Sequence, residues 1–397
     1  MKHLVLSIFL LLFFVEVFSV LPHRTDFTQK SRSPHFVSGL INVHTALSDG
    51  YKNIPELVEL AKNAGHDFIL FADQNTTEGR RLGFDKEFNG IDSFVEIETK
   101  TPSGNLLVFF SHTTGAELSD REIGKLGYEH FLNKNTRPGL FVSVSHPSHV
   151  KHPWTQLERF SDGIEIINFD SLFWRHLSDN PLNFAGISLL YPLNQFAAAL
   201  RFIQPFPKDF LSWDNMNTLS SGHFGFLSSK FTRKLHLPFS DISWPSYEEI
   251  FRLGSNIIFL KSPLAKSHRE RKEQIYEAIR ESRLAMVFQA LFPFEGNDFY
   301  LECPNSLFRV GDKAKLGKQK CELVVRTPEN LPYKTKVRIF RDGELEKTVS
   351  SSPNVLRIPV TESGSYRAEI LVRPHSAFWI LVRKWVPYVL YNPILIH

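Results

Sequence analysis

Residues 36–76 read FVSGLINVHTALSDGYKNIPELVELAKNAGHDFILFADQNT, and their pattern indicates the fold class. The first apolar run ends at Val43, and a loop then leads to NIPE at 53–56, which has the capping-box pattern of a helix start with proline in the first turn. Apolar residues recur with helical spacing until Gly65, and a second apolar run ends in the polar residues 73–76. A strand, a helix and a second strand in this order predict two parallel strands joined by a right-handed crossover.

The same alternation continues along the chain. Further apolar strands are predicted over 94–99, 106–110, 140–145, 163–168 and 256–260. Strands that alternate with helices and end in polar residues are typical of an α/β barrel, whose sites lie at the carboxyl ends of the strands. From residue 298 the pattern changes to short alternating strands with glycine turns, which predicts a small all-β sandwich over 298–397.

The N-terminus has the layout of a secretory signal peptide. A basic residue precedes the apolar stretch 4–15, and residues 17–19 offer small or branched side chains for cleavage. We therefore predict a signal peptide over 1–19, a polar linker over 20–34 and the barrel over 35–297, in an exported protein that is periplasmic or secreted. No transmembrane span is predicted beyond this signal, and an uncleaved N-terminal membrane anchor is the alternative.

The composition is that of an ordinary globular protein, and it narrows the classes of partner. The 397 residues are 42% apolar and 22% charged, with a net charge of +4 spread along the chain. Because no basic stripe or nucleic-acid-binding motif is present, we expect no nucleic-acid partner. The two cysteines, Cys303 and Cys321, predict a disulfide if the chain is exported, and two buried free thiols are the alternative.

Polar side chains follow several predicted strands at the point where each strand ends. Asn42 and His44 lie two residues apart, so they would point the same way at the end of their strand. Glu96 and His146 hold similar positions on later strands, whereas Glu165 is interpreted as a structural hydrogen-bonding group. A single histidine at a strand end is more often structural than functional, but a barrel would bring all of these ends together.

These motifs resemble the PHP family, the polymerase and histidinol phosphatase-like metal-dependent phosphoesterases. The stretches that carry the resemblance, in chain order, are VHTALSDG (43–50), DFILFADQNT (67–76), VSVSHPSH (142–149), GIEIINFD (163–170) and SSGHFG (220–225). LPFSDISWPSYEEIFRLGSN (237–256) and PYVLYNPI (387–394) further resemble an exported branch that carries a C-terminal β-sandwich. The resemblance spans nearly all of the mature chain and implies a distorted (βα)7 TIM-like barrel followed by that sandwich.

The resemblance implies a cluster of divalent ions that turns a bound water into the nucleophile of a hydrolase. The residues that match its metal ligands are His44, Asp49, Glu96, His146 and His223. Four further ligand positions hold other residues, namely Asn42, Gln74, Asn105 and Ser221. Glu96 and Glu98 share a strand face, so either carboxylate could be the bridging ligand. Arg233 and Lys234 are candidate phosphate contacts, with a solvated basic loop as the alternative.

The resemblance implies three ion positions. Each of them has lost at least one strong ligand at these four residues. Amide side chains are neutral and suit hard ions such as Mg²⁺ or Mn²⁺ better than zinc. We therefore expect fewer than three ions, Mn or Mg, or no ion at all. Three functions follow: a phosphoesterase with a reduced metal site that acts on a small phosphorylated ligand, a catalytically inactive barrel of the cell envelope that binds an anionic ligand, or a β-sandwich module with an envelope partner.

Overall fold

The structure is a computed structural model that describes residues 2–21, 35–110, 119–133, 139–148, 154, 161–203, 207–219, 222–231, 235–237, 240–242, 245–316, 320–351, 353–374 and 385–397. The α-helices within these residues are α1 (Lys2–Ser19), α2 (Ile54–Asn63), α3 (Glu78–Arg81), α4 (Asp120–Asn133), α5 (Phe169–Asp179), α6 (Pro181–Leu190), α7 (Gln195–Phe202), α8 (Pro207–Leu219), α9 (Tyr247–Leu253) and α10 (His268–Arg280). In the described part of the chain, no helix is both long and apolar enough to cross a membrane. Export and cleavage of the N-terminal segment stay predictions.

The β-strands fall into a barrel-forming group and a later group. The first group is β1 (Phe36–Val43), β2 (Phe68–Gln74), β3 (Lys86–Phe88), β4 (Ile91–Thr101), β5 (Gly104–Phe110), β6 (Leu140–Ser145), β7 (Gly163–Asn168), β8 (Phe224–Ser228), β9 (Leu235–Leu237), β10 (Ser240–Ile242), β11 (Ser255–Phe259) and β12 (Leu284–Val287). The second group is β13 (Asp298–Cys303), β14 (Ser306–Arg309), β15 (Lys313–Ala314), β16 (Cys321–Arg326), β17 (Lys334–Arg341), β18 (Glu344–Ser350), β19 (Val355–Val360), β20 (Gly364–Arg373), β21 (Val386–Tyr391) and β22 (Ile394–Ile396).

Helix α2 forms where the sequence predicts it. The Asn53 side chain accepts a hydrogen bond from the Glu56 N–H at 2.9 Å, and the Glu56 carboxylate accepts one from the Asn53 N–H at 3.1 Å. This reciprocal pair satisfies two backbone donors that a helix start leaves unpaired. Gly65, with φ +79°, follows the helix in the left-handed conformation that ends many helices. The capping-box prediction is confirmed.

The central feature is a closed barrel of seven strands in the order β1, β2, β4, β5, β6, β7 and β8, in which β8 pairs back onto β1. β1 is parallel to β2, as residues 36–76 predict, and β2 is parallel to β4. β6, β7 and β8 are parallel neighbours as well. β5 runs antiparallel to both β4 and β6, so the barrel is mixed.

The predicted (βα)7 TIM-like barrel is therefore wrong. Helices make up only about 32% of the described residues, and a tight turn takes the place of a helix between β4 and β5. Thr101 Oγ1 donates a hydrogen bond to the Gly104 carbonyl at 2.7 Å across this turn, and Gly104 has φ +142°, a conformation that suits glycine. A two-residue turn can join only antiparallel strands, because a parallel crossover needs a dozen or more residues. The turn reverses β5 and interrupts the strand–helix repeat.

The strands after residue 298 form two groups, and one of these groups is hydrogen-bonded to the barrel. β14, β13, β16 and β19 form a four-stranded antiparallel sheet, in which Cys303 and Cys321 form a disulfide between β13 and β16. The other group, β15, β17, β18, β20, β21 and β22, continues through β21 to β12, β11 and finally β1 of the barrel. Backbone hydrogen bonds thus connect the C-terminal strands to the barrel wall. The domain boundary at residue 298 stays a prediction.

Aromatic side chains fill the barrel interior. The interior phenylalanines, each at most 3% exposed, are Phe68, Phe94, Phe109, Phe141, Phe224 and Phe226. The rings of Phe109 and Phe141 stack at 4.3 Å, and Tyr276 of α10 meets both of them edge-on. The interior is therefore a packed core rather than a pore, as in other closed barrels of this size.

Candidate functional site: a buried lysine–carboxylate centre

Polar side chains meet at the end of the barrel where β1, β4, β6 and β8 terminate and the reversed β5 begins. Glu98 of β4 lies in the middle of them and is fully buried. Five nitrogen atoms surround its carboxylate: Asn105 Nδ2 at 2.7 Å and Lys230 Nζ at 2.7 Å from Oε1, and Asn42 Nδ2 at 3.1 Å, His44 Nε2 at 3.6 Å and His146 Nε2 at 3.8 Å from Oε2. We call these six residues the Glu98 centre.

The sequence leaves open whether Glu96 or Glu98 is the central carboxylate, and the contacts of the two side chains differ. Glu96 accepts hydrogen bonds from the Tyr276 hydroxyl and from the Phe110 backbone N–H, and it lies 2.8 Å from Lys272 Nζ. Tyr276 and Lys272 belong to α10, so Glu96 ties that helix to the barrel. Of the two carboxylates, Glu98 is the one that lies among the strand-end residues.

Asn42 joins two buried carboxylates through its amide NH2 group, whereas its Oδ1 has no hydrogen-bond partner among the described residues. Its Nδ2 lies 3.1 Å from Glu98 Oε2 and 2.6 Å from Glu165 Oε1. An amide oxygen in that place would be repelled by both carboxylates, so the orientation with the NH2 group between them is favoured. Asn42 lies at an irregularity in the β1–β2 pairing and has φ +60°, which asparagine tolerates better than most residues. The amide therefore cross-links β1, β4 and β7.

His44 is held from both sides of its ring. Its Nδ1 pairs with Asp49, whose side chain is 41% exposed on the following loop, and its Nε2 faces Glu98. Burial and Lys230 act to lower the pKa of His44, but Glu98 and Asp49 outweigh them and the pKa is raised. Within the described residues, His44 Nε2 has no hydrogen-bond partner. The imidazole is thus positioned, with one nitrogen still available inside the centre.

Asp73 fixes the loop that carries Asp49. Its carboxylate accepts hydrogen bonds from the Thr45 N–H at 2.8 Å and the Thr45 hydroxyl at 2.7 Å, and from the Ser48 hydroxyl at 2.5 Å. Gln74, the next residue, lies level with Glu98 in the β2–β4 pairing. The polar segment after β2 therefore shapes the loop after β1.

Glu165 holds the backbone of His146 through a hydrogen bond. Its Oε2 accepts a hydrogen bond from the His146 backbone N–H at 2.7 Å and another from Asn168 Nδ2 at 2.9 Å. His146 has φ +54°, and its Nδ1 lies 2.9 Å from the Ser171 hydroxyl. Burial raises the pKa of Glu165, and the charge of Glu98 raises it further. Glu165 is thus a structural partner, as its sequence position suggests, but it lies directly against the centre.

Lys230 is the residue of this centre that the sequence analysis missed. It follows β8 by two residues, and its side chain is only 5% exposed beside Glu98. Burial lowers the pKa of Lys230, but Glu98 and Asp49 raise it more, so the ammonium is charged. Burial likewise raises the pKa of Glu98, yet Lys230 and His44 hold it well below its usual range. The available signal was a polar residue just after an apolar strand, the same signal that marks His44.

His223 lies at the other end of β8, away from the centre. Its Nδ1 is 2.6 Å from the Ser161 carbonyl oxygen, just before β7, and its N–H donates to Asn217 Oδ1 at 3.1 Å. A five-residue strand spans about 16 Å, so its two ends cannot contribute to one site. Ser221, Arg233 and Lys234 lie outside the described residues.

The donor set of the Glu98 centre does not fit the ion cluster that the resemblance implies. Divalent ions need lone pairs directed at them, from carboxylates and neutral imidazoles. Here both oxygens of Glu98 already accept N–H donors, from Lys230, Asn42 and Asn105. The ammonium also supplies the positive charge that a buried carboxylate requires. Lys230 thus fulfils, within the chain, the electrostatic role of a bound cation.

Comparisons with known proteins add little to this geometry. No protein-family model matches the chain, and no curated protein matches it. It is similar to a solved structure from Bacteroides vulgatus ATCC 8482, described as a two-domain protein containing a predicted PHP-like metal-dependent phosphoesterase. The two chains are 14% identical, with a TM-score of 0.38 over 91% of this chain and 98% of the other. At these values the likeness carries no argument about activity, and membership of the PHP family stays a prediction from the sequence.

Proposed function

We propose that this protein is a non-catalytic, metal-independent binding protein on a barrel of the phosphoesterase type. The observation that carries the proposal is the pair of Lys230 Nζ and Glu98 Oε1, 2.7 Å apart and buried. A lysine in this position neutralises the carboxylate that would otherwise bind ions.

The neighbouring amides support the same conclusion. Asn42 and Asn105 both direct N–H groups at Glu98, so they satisfy the carboxylate as donors and do not compete with it as ligands. Hydrolysis by a metal-bound water needs an ion with an open coordination position. A centre closed by one ammonium and two amides is suited instead to holding the strand ends in a fixed geometry. The ligand class that we propose for the protein is small and anionic, in keeping with its mildly basic charge of +4.

The experiment is an elemental analysis of divalent metal bound to the purified full-length protein, after incubation with Mn²⁺ or Zn²⁺ and desalting. We expect no metal above the level of a Glu98→Gln variant, and no release of phosphate from an aryl phosphate in the presence of either ion. One or more ions per chain that are lost in Glu98→Gln, together with phosphate release that is lost with them, would overturn the proposal.

A reduced-site phosphoesterase is the second candidate, and one observation favours it. His44 Nε2 and His146 Nε2 both approach the same oxygen, Glu98 Oε2, at 3.6 and 3.8 Å. Two imidazoles and one carboxylate form a donor set that single transition-metal ions use. The same metal analysis decides between the candidates: one tightly held ion with turnover supports the enzyme, and the absence of both supports the binding protein.

A further inference from the structure

A second candidate site lies on one face of the C-terminal strands, away from the Glu98 centre. Alternate residues of β17 and their cross-strand partners on β20 share this face, and we call them the cationic face. Its pairs are Lys334 with Arg373, Lys336 with Leu371, Arg338 with Glu369 and Phe340 with Arg367. Helix α8 covers part of it, through Phe210, Leu211 and Asp214.

The cationic face carries a net positive charge. Five of its residues are Lys or Arg. Three of them, Lys336, Arg338 and Arg367, share a groove with the carboxylates Glu369 and Asp214, so three minus two leaves a charge of +1 among these groove residues. Lys334 and Arg373 are direct cross-strand partners, an arrangement that destabilises a sheet.

One of the five cations, Arg367, already pairs with carboxylates of the protein. Arg367 Nε and Nη2 donate to the two carboxylate oxygens of Asp214 at 2.6 and 2.7 Å, and Nη1 donates to Glu369. Its guanidinium also lies 3.9 Å from the centre of the Phe340 ring. Arg367 therefore attaches α8 to the sheet and is not available to a ligand.

Two other cations remain accessible to a ligand. The Arg338 side chain is 36% exposed, although its Nη2 donates to Glu369 and its Nε is buried. Lys336 Nζ lies 4.4 Å from the centre of the Trp385 ring, and the described residues place no carboxylate within ion-pair distance of it. Because the two residues lie two positions apart on one strand, their side chains leave the same face about 7 Å apart.

Both cations line a groove of about 670 Å³ between α8 and the sheet. Its walls include Trp385 and the half-exposed Leu211 and Leu345. This volume is typical of sites for small organic ligands. A nucleic acid would need a row of exposed rings on which successive bases could stack. Phe210 and Phe340 line the groove as well as Trp385, but the Arg367 guanidinium lies 5.1 and 3.9 Å from the centres of the two phenylalanine rings.

We propose that this groove binds an acidic oligosaccharide. The exposed part of the Arg338 guanidinium attracts a sugar carboxylate, Lys336 supplies a second positive charge, and the Trp385 ring packs against the C–H face of a sugar ring. The inference names a ligand site for the proposed binding protein, but it rests on residues outside the Glu98 centre. Its success or failure is therefore independent of the metal analysis above.

The test is isothermal titration of the full-length protein with trigalacturonate, and with maltotriose as a neutral sugar of three rings. We expect trigalacturonate to bind at least about tenfold more tightly, and the affinity to fall as NaCl rises from about 50 to about 500 mM. Lys336→Met and Arg338→Met should each weaken binding by about tenfold, and Arg338→Lys by less because it keeps the charge. Lys347→Met is the matched control, since Lys347 pairs with Ile339 on the opposite face of the same hairpin.

Four results would overturn this inference. They are no binding of trigalacturonate, equal binding of maltotriose, equal losses in Lys347→Met and the groove variants, and tighter binding of an oligothymidylate that the groove variants abolish. Far-ultraviolet circular dichroism and the urea midpoint of each variant show whether it is folded, and Arg338→Lys keeps the comparison valid if Arg338→Met does not fold.

Discussion

Replacing Lys230 with methionine tests the Glu98 centre most directly. Methionine has nearly the length of lysine but no charge, so the substitution leaves Glu98 buried without its ammonium partner at 2.7 Å. Removing one member of a buried ion pair typically costs about 3–5 kcal/mol. Glu98 would keep the amide donors of Asn42 and Asn105, at 3.1 and 2.7 Å. We therefore expect a loss near the lower end of that range, about 3 kcal/mol.

The assay is urea unfolding at neutral pH, followed by tryptophan fluorescence without added metal. The double variant Lys230→Met with Glu98→Gln removes both charges and should recover most of the lost stability. Lys272→Met is the matched control, because Lys272 is equally buried and lies 2.8 Å from Glu96 and 3.0 Å from Asp85. It should be destabilised to a similar degree, since it also leaves carboxylates without their cation.

The effect of divalent ions on stability should differ between the variants of Lys230 and Lys272. Lys230→Ala opens space beside Glu98, His44 and His146, so Mn²⁺ or Zn²⁺ should stabilise this variant and have no effect on the wild type or on Lys272→Ala. An ion present at a hundred times its dissociation constant adds about 2.7 kcal/mol. The reasoning would be refuted if Lys230→Met were as stable as the wild type, or if the ions stabilised the wild type and Lys230→Ala equally.

Three further predictions concern other parts of the molecule. Asn42→Asp places a third carboxylate between the two that the amide now bridges. Urea unfolding should show that the free energy of unfolding falls by about 3 kcal/mol at pH 8 and by less at pH 5. Equal stability of the variant and the wild type at pH 8 would contradict the role of the amide as donor. Burial raises the pKa of Asp209 from 3.8 to about 6, so the folded state favours the protonated form, and stability should fall as the pH rises from about 4 to about 6. Asp209→Asn should remove up to about 3 kcal/mol of that fall, and an unchanged pH profile of the free energy of unfolding would exclude this assignment. Changing Cys303 and Cys321 to serine opens a link across 18 residues and should cost about 3 kcal/mol, measured against dithiothreitol-treated wild type, which should match the variant.

The sequence predicted those parts of the fold that depend on neighbouring residues. The capping box at 53–56 and the parallel pairing of β1 with β2 are local consequences of side-chain chemistry and chain direction. Pro102, Ser103 and Gly104 are likewise residues typical of a tight turn, whereas the resemblance implies a continuous strand–helix repeat. This turn makes β5 antiparallel to β4, because two residues cannot bring the chain back to the start of a parallel strand.

The centre was predicted in part, and the part that was missed depends on distant contacts. His44 and His146 follow strands, so the barrel architecture alone places them at one end. Lys230 acquires its role only because it meets Glu98, 132 residues earlier in the chain. His223 has a more typical ligand side chain, but it begins its strand instead of following it.

Local sequence therefore sets where strands and helices begin and which residues stand at their ends, because capping, turns and alternation act over a few residues. Which of those residues share a site, and whether a carboxylate faces a metal ion or a lysine, depends on contacts between residues that are distant in the sequence. Burial makes that difference decisive, since a carboxylate removed from water must be paired with whichever charge the fold brings to it.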